Sequence, residues 1–185
     1  MKKFSPVLLL LALLLTGASS LTSCGSDTIY EQQEKILEAQ KKTDDATIQA
    51  YLTRHNISSS QYSRQASGIY LVTLTDGPAA NPLIKAGQKV TTNYVGRFIS
   101  ETNDGIVFGA SSENRTPCGC ANFYAGQASS SAPTGVQQAI PLMRKGDRKL
   151  ILIPSYLLLD PQGQFVVPGT AAQPLLYDVE ILNVE

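Results

Sequence analysis

From Gly68 onward the chain changes period, and that change constrains its fold more than any other feature. Ile69 to Leu74, Lys89 to Ile99, Ile106 to Phe108, Lys149 to Ile153 and Leu175 to Val184 are short runs rich in Val, Ile, Thr, Tyr and Phe. Turn residues such as Asp76-Gly77-Pro78, Asn103-Asp104-Gly105 and Lys145-Gly146-Asp147 bound them, which is the pattern of strands in an antiparallel sheet. One stretch between them has helical spacing: Gly135 to Met143, with Val136, Ala139, Ile140 and Met143 on one face. The order β-β-β-α-β-β predicts an α+β domain, an antiparallel sheet wrapped on one short helix over residues 67–185. Gly109 to Gly135, dominated by Ser, Gly, Ala, Pro and Cys, reads as irregular.

The N-terminus obeys different rules. Lys2 and Lys3 precede an apolar run from Val7 to Leu15, far shorter than the roughly 20 residues a membrane span needs. Leu21-Thr22-Ser23-Cys24-Gly25 follows: an apolar residue three before the cysteine, small residues before the cut, and Cys at the new N-terminus. This predicts a lipoprotein signal peptide over residues 1–23, with Cys24 carrying the lipid. Acyl chains anchor at about 0.8 kcal/mol per buried CH₂, so several chains on one residue hold a protein stably on a membrane. The expected location is the bacterial cell envelope, on the outer membrane, facing the periplasm or the cell surface.

Cleavage would remove Lys2 and Lys3 from a chain with 15 basic and 15 acidic residues, leaving a slightly acidic protein. With no basic footprint, nucleic acid is excluded as an expected partner.

Residues 24–66 are expected to form a helical stalk and linker. Ser26 to about Gln40 is polar, with Glu31/Lys35 and Glu38/Lys42 at i,i+4 and a thin apolar face of Ile29, Ile36 and Leu37. Thr43-Asp44-Asp45 reads as the cap of a second helix, which carries Ile48, Tyr51 and Leu52 and ends near Asn56. Ser58 to Ser67 reads as a polar linker. The lone histidine, His55, falls at a helix end, where it caps or is solvated.

The motifs of residues 68–185 together resemble the FKBP family of peptidyl-prolyl isomerases. Ser67-Gly68-Ile69-Tyr70 is similar to that family's entry strand. Ala86-Gly87-Gln88-Lys89-Val90, Tyr94-Val95-Gly96-Arg97 and Asp104-Gly105-Ile106-Val107-Phe108 match its next segments in order. Met143 to Asp147, Leu150 to Ser155 and Leu175 to Leu182 are similar to its last three landmarks.

The resemblance implies rotation about X–Pro bonds of exported, proline-containing polypeptides. That reaction needs no cofactor or metal, only an apolar pocket fitted to the twisted amide. It implies a pocket walled by Tyr94 and Phe108, with Tyr177 near its base, Val136 at its floor and Leu159 on the following loop. Several positions depart from the family pattern. Gly109 stands where the family usually has Asp, and Val136 where it has Trp. Leu159 stands where it has Tyr, with Tyr156 the substitute if the loop register differs. These departures predict weak or absent activity, and the alternative is a non-catalytic binding module of the envelope. Tyr94, Phe108 and Tyr177 also fit plain core packing.

Cys118-Gly119-Cys120 lies in the irregular stretch. An exported compartment permits a disulfide between the two cysteines; a loop clip, two free thiols or a labile redox pair are all open readings.

Overall fold

The computed structural model describes residues 28–113, 117–127, 132–158 and 172–185. Cys24 and Leu159 lie outside the described residues. The chain divides into two compact units, residues 1–34 and 35–185. Of the first, the described part is the beginning of helix α1 (Ile29–Arg54). There Thr28 and Glu31 form a reciprocal capping box. The Thr28 N–H donates to Glu31 Oε2 at 2.7 Å, and the Glu31 N–H to Thr28 Oγ1 at 3.3 Å.

The two helices expected on either side of Thr43 are therefore one. Thr43, Asp44 and Asp45 do not cap; they continue the helix. Thr43 turns its hydroxyl back to the Ala39 carbonyl at 3.1 Å. Asp44 and Asp45 find acceptor roles in the unit of residues 35–185: Asp44 with Ser155, and Asp45 with Tyr70 and Arg64. With these polar side chains occupied by distant donors, their usual competition with the helix backbone is removed.

Among the described residues seven strands follow: β1 (Tyr62–Arg64), β2 (Tyr70–Thr75), β3 (Lys89–Phe98), β4 (Val107–Ala110), β5 (Ala121–Tyr124), β6 (Arg148–Ile153) and β7 (Leu175–Val184). Their order in the sheet is β1-β2-β6-β7-β3-β4, all antiparallel, with β5 also paired to β3. The short helix α2 (Thr134–Ala139) runs on into a 3₁₀ turn, Ile140–Leu142. Strands β1 and β5 lie in segments that read as linker and as irregular chain.

Alternation along the strands makes two cores. Ile69 and Leu71, Ile151 and Ile153, and Leu175, Tyr177, Val179 and Ile181 face one side, where Val136, Ala139, Ile140 and Met143 of the α2 region cover them. Tyr70 and Val72, Leu152 and Leu176 face the other side, where Ile48, Tyr51 and Leu52 of α1 pack on them. The sheet is thus covered on both faces, and the later half of α1 is part of the packing. Ile48 and Leu52 are almost fully buried, worth roughly 1.5–3 kcal/mol each. Among the described residues no helix is long and apolar enough to cross a membrane.

Candidate functional site

The α2 face of β3 carries Tyr94, Gly96 and Phe98 at successive alternate positions. Gly96 leaves a notch between two aromatics. Strand β4 supplies the ring that fills it. Gly109 pairs with Gly96 and Val107 with Arg97, so Phe108 is the extra residue of a β-bulge. A bulge re-aims the side chain it carries. The Phe108 ring lies over Gly96, where any Cβ would overlap it.

From that position Phe108 meets Tyr177 edge to face, with centroids 5.4 Å apart at 72°. It also meets Phe98 at 5.3 Å and 63°. Tyr94 meets Tyr177 at 6.0 Å and 43°. These separations and tilts are those favoured by ring quadrupoles. Tyr177 is buried at the base, while Tyr94, Phe98 and Phe108 are half-buried. Of the residues expected in the pocket, Tyr94, Phe108 and Tyr177 therefore come together.

Val136 is buried in the same core at the start of α2. The helix comes close to β6 because Gly135 has no side chain; a Cβ there would overlap Ile153 Cγ2. Phe98 and Leu157 also pack against this core, and no sequence signal singles them out from other strand and loop apolars.

Electrostatics keep the tyrosines neutral. Burial pushes the Tyr177 hydroxyl well above the ordinary tyrosine range, with neighbouring Tyr94 adding to the effect. Burial and then the Glu113 carboxylate raise Tyr94. The Tyr94 backbone is fixed by its N–H donating to the buried Ser111 hydroxyl at 3.1 Å.

The departures fall in different surroundings. A side chain at Gly109 would meet nothing within 4 Å. Tyr156, in the 3₁₀ turn Ser155–Leu157, is occupied elsewhere. Its hydroxyl donates to the Ser67 carbonyl at 2.7 Å, and Lys41 sits over its ring at 5.7 Å. It lines a separate cleft of about 370 Å³ with Asp45, Arg64 and Pro154. His55 stacks on Tyr51 at 4.2 Å and meets Asp104 at 3.0 Å, at the end of α1. Cys118 and Cys120 are joined in a disulfide, with Cα atoms 5.1 Å apart.

A sequence model of the FKBP-type peptidyl-prolyl cis-trans isomerases matches residues 81–182. No curated protein matches the chain in sequence at a significant level. Several solved structures share the fold. A peptidyl-prolyl cis-trans isomerase from Pseudomonas syringae pv. tomato is 19% identical with a TM-score of 0.54, covering 80% of this chain and 95% of its own. FkpA from Escherichia coli is 20% identical with a TM-score of 0.54, covering 100% of this chain and 84% of its own. AtFKBP13 is 24% identical with a TM-score of 0.51, covering 67% of this chain and 98% of its own. The family match spans more than half of the chain, over the strands that carry Tyr94, Phe108 and Tyr177, and this chain belongs to the FKBP-type peptidyl-prolyl cis-trans isomerases.

Proposed function

We propose that this protein is a lipid-anchored peptidyl-prolyl isomerase of the cell envelope, acting on proline-containing exported polypeptides. The observation that carries the reading is the aromatic cluster on Tyr177. Tyr177 forms the base, with Phe108 at 5.4 Å and Tyr94 at 6.0 Å as its walls. The signal-like N-terminus with Cys24 supports export and membrane attachment.

Rotation about an X–Pro bond breaks amide resonance, with a barrier of about 18–20 kcal/mol. The rotated amide has lost charge separation and is less polar than the planar one. An apolar aromatic pocket therefore favours the transition state over the ground state. In this reading the proline ring lies against Phe108 and Tyr177, and water is excluded by Tyr94 and Val136. No nucleophile is needed, and His55 lies at the end of α1, paired with Asp104.

Gly109 and the engagement of Tyr156 with Ser67 favour a second reading, a binding module on the same scaffold. In that reading neither the carboxylate that the family usually has after the pocket-wall phenylalanine nor the Tyr156 hydroxyl orients a substrate. The two readings separate in one assay. The full chain in detergent micelles is added to the proline-limited refolding of a protein substrate, beside Phe108→Ala and Tyr94→Ala. Acceleration by the parent that both substitutions reduce at least tenfold supports the enzyme. A folded parent that leaves the refolding rate unchanged rules it out and leaves the binding module.

A further inference from the structure

We propose that the Cys118–Cys120 loop is a thiol–disulfide exchange site that oxidises pairs of cysteine thiols in exported polypeptides. Three observations carry it. First, the two cysteines are unequally placed: Cys118 is exposed, whereas Cys120 is 1% exposed. Exchange requires access to the attacked residue, which favours Cys118 over Cys120 as the reacting partner. Second, the bond encloses only Gly119. Loop-closure stabilisation is smallest for the shortest loops, so a structural staple is the use this disulfide serves least. Gly119 has φ of +59°, and a Cβ there would make only an ordinary contact with Ser112 Cα at 3.6 Å, so glycine meets a backbone requirement of the ring rather than a packing one.

Third, the chain before and after the ring is tied to β3 next to Tyr94. Ahead of it, the buried Ser111 hydroxyl accepts the Tyr94 backbone N–H. Behind it, Ala121 pairs with Thr92 of β3, two residues from Tyr94. A polypeptide whose proline rests in the cluster would carry its neighbouring cysteines past Cys118.

The chemistry balances without any further group. A client thiolate attacks Cys118 Sγ. The client S–Sγ bond forms as the Sγ–Sγ bond breaks, and the electron pair leaves on Cys120 Sγ. The client's second thiolate then attacks the client sulfur of this mixed disulfide, closes the client disulfide and expels Cys118 as thiolate. Two electrons pass from client to loop, and the two client thiol protons end on the loop thiols or in solvent. A small-molecule disulfide reoxidises the loop by the same exchange.

The exchange does not depend on isomerase activity, so either can fail alone. In the test, the oxidised full chain in detergent micelles is mixed with a reduced synthetic peptide holding two cysteines around a proline, and loss of free thiol is followed. The expected rate exceeds that of an equal concentration of glutathione disulfide at least tenfold. A rate no greater than glutathione disulfide's overturns the proposal. Separately, reduced Cys120→Ser and reduced Cys118→Ser are each given the oxidised peptide, after circular dichroism shows that both are folded. Cys120→Ser should accumulate a mixed disulfide at Cys118, seen by mass, at least tenfold faster than Cys118→Ser accumulates one at Cys120. Equal trapping by both variants overturns the assignment of Cys118 as the reacting sulfur.

Discussion

Asp44 and Ser155, 111 residues apart in sequence, are joined by two hydrogen bonds inside the protein: the Ser155 N–H donates to Asp44 Oδ2 at 2.7 Å and its hydroxyl at 2.8 Å. Both residues are almost fully buried. The other carboxylate oxygen of Asp44 accepts from Gln40 Nε2 at 2.7 Å. Ser155 closes the end of β6, so this carboxylate fastens α1 to the strand on which α2 also packs.

Asp44→Ala should destabilise the unit by about 2–3 kcal/mol, because a buried N–H and hydroxyl lose a charged acceptor and gain none. Asp44→Asn keeps one acceptor oxygen and should cost less. Urea unfolding of the two variants beside the parent measures this, read as the shift in midpoint at constant slope. An Asp44→Ala midpoint equal to the parent's would show that the contact contributes nothing.

A second tie links α1 to the turn between β3 and β4. Asp104 Oδ2 accepts from Arg54 Nε and Nη2 at 3.1 and 3.0 Å, and meets His55 Nε2 at 3.0 Å. Burial pushes this carboxyl up. The hydrogen bonds from His55 and Arg54, with their charges, outweigh it and hold the carboxyl below its ordinary value of 3.8. A depressed folded-state pKa stabilises above the unfolded value, and the contribution is lost as pH falls through the folded one. Between about pH 5 and pH 2 the parent should therefore lose stability more steeply than Asp104→Asn, by about 1 kcal/mol or less at this partly exposed site. Parallel slopes for the two proteins over that window would show that Asp104 is not the group responsible.

Gly96 and Phe108 make the sharpest link between packing and proposed activity. A methyl group on Gly96 would occupy the space of the Phe108 ring. Gly96→Ala should push that ring off Tyr177 and so reproduce, in the refolding assay, the loss expected of Phe108→Ala. Stability should fall by about 1–3 kcal/mol, the range for overpacking. Gly96→Ala with full activity would mean that the Phe108 position is not used.

What the sequence could reveal follows from where each signal is stored. Strands β2, β6 and β7 announce themselves because each buries its side chains in alternation against cores on two faces, and β3 because Val90, Tyr94 and Phe98 face the α2-side core at even spacing, which writes the pattern into the residues. β1 and β5 do not. Tyr62–Arg64 and Ala121–Tyr124 are three and four residues long, mostly polar or small, and owe their conformation to the edges of β2 and β3 that they pair with. Thr43-Asp44-Asp45 reads as a cap because its true partners, Ser155, Tyr70 and Arg64, are brought near only by the tertiary fold. The aromatics of the site were legible as Tyr94, Phe108 and Tyr177. The bulge that swings Phe108 over Gly96 was not, since it depends on the register between two strands.

Gly109 offers a test of how far the site departs from a working isomerase. Its Cβ position is open, and its φ is not in the left-handed region. Gly109→Asp should therefore fold with a stability within about 0.5 kcal/mol of the parent. The resemblance places a carboxylate here in working members, at the residue after the pocket-wall phenylalanine. One oriented polar contact made in the transition state is worth about 1 kcal/mol, which is about fivefold in rate. Gly109→Asp is expected to accelerate the proline-limited refolding by about that factor over the parent, and Phe108→Ala on top of it should remove the gain. An unchanged rate in a folded Gly109→Asp protein would mean that a carboxylate at residue 109 contributes nothing to this pocket, and that its aromatic walls alone set the activity.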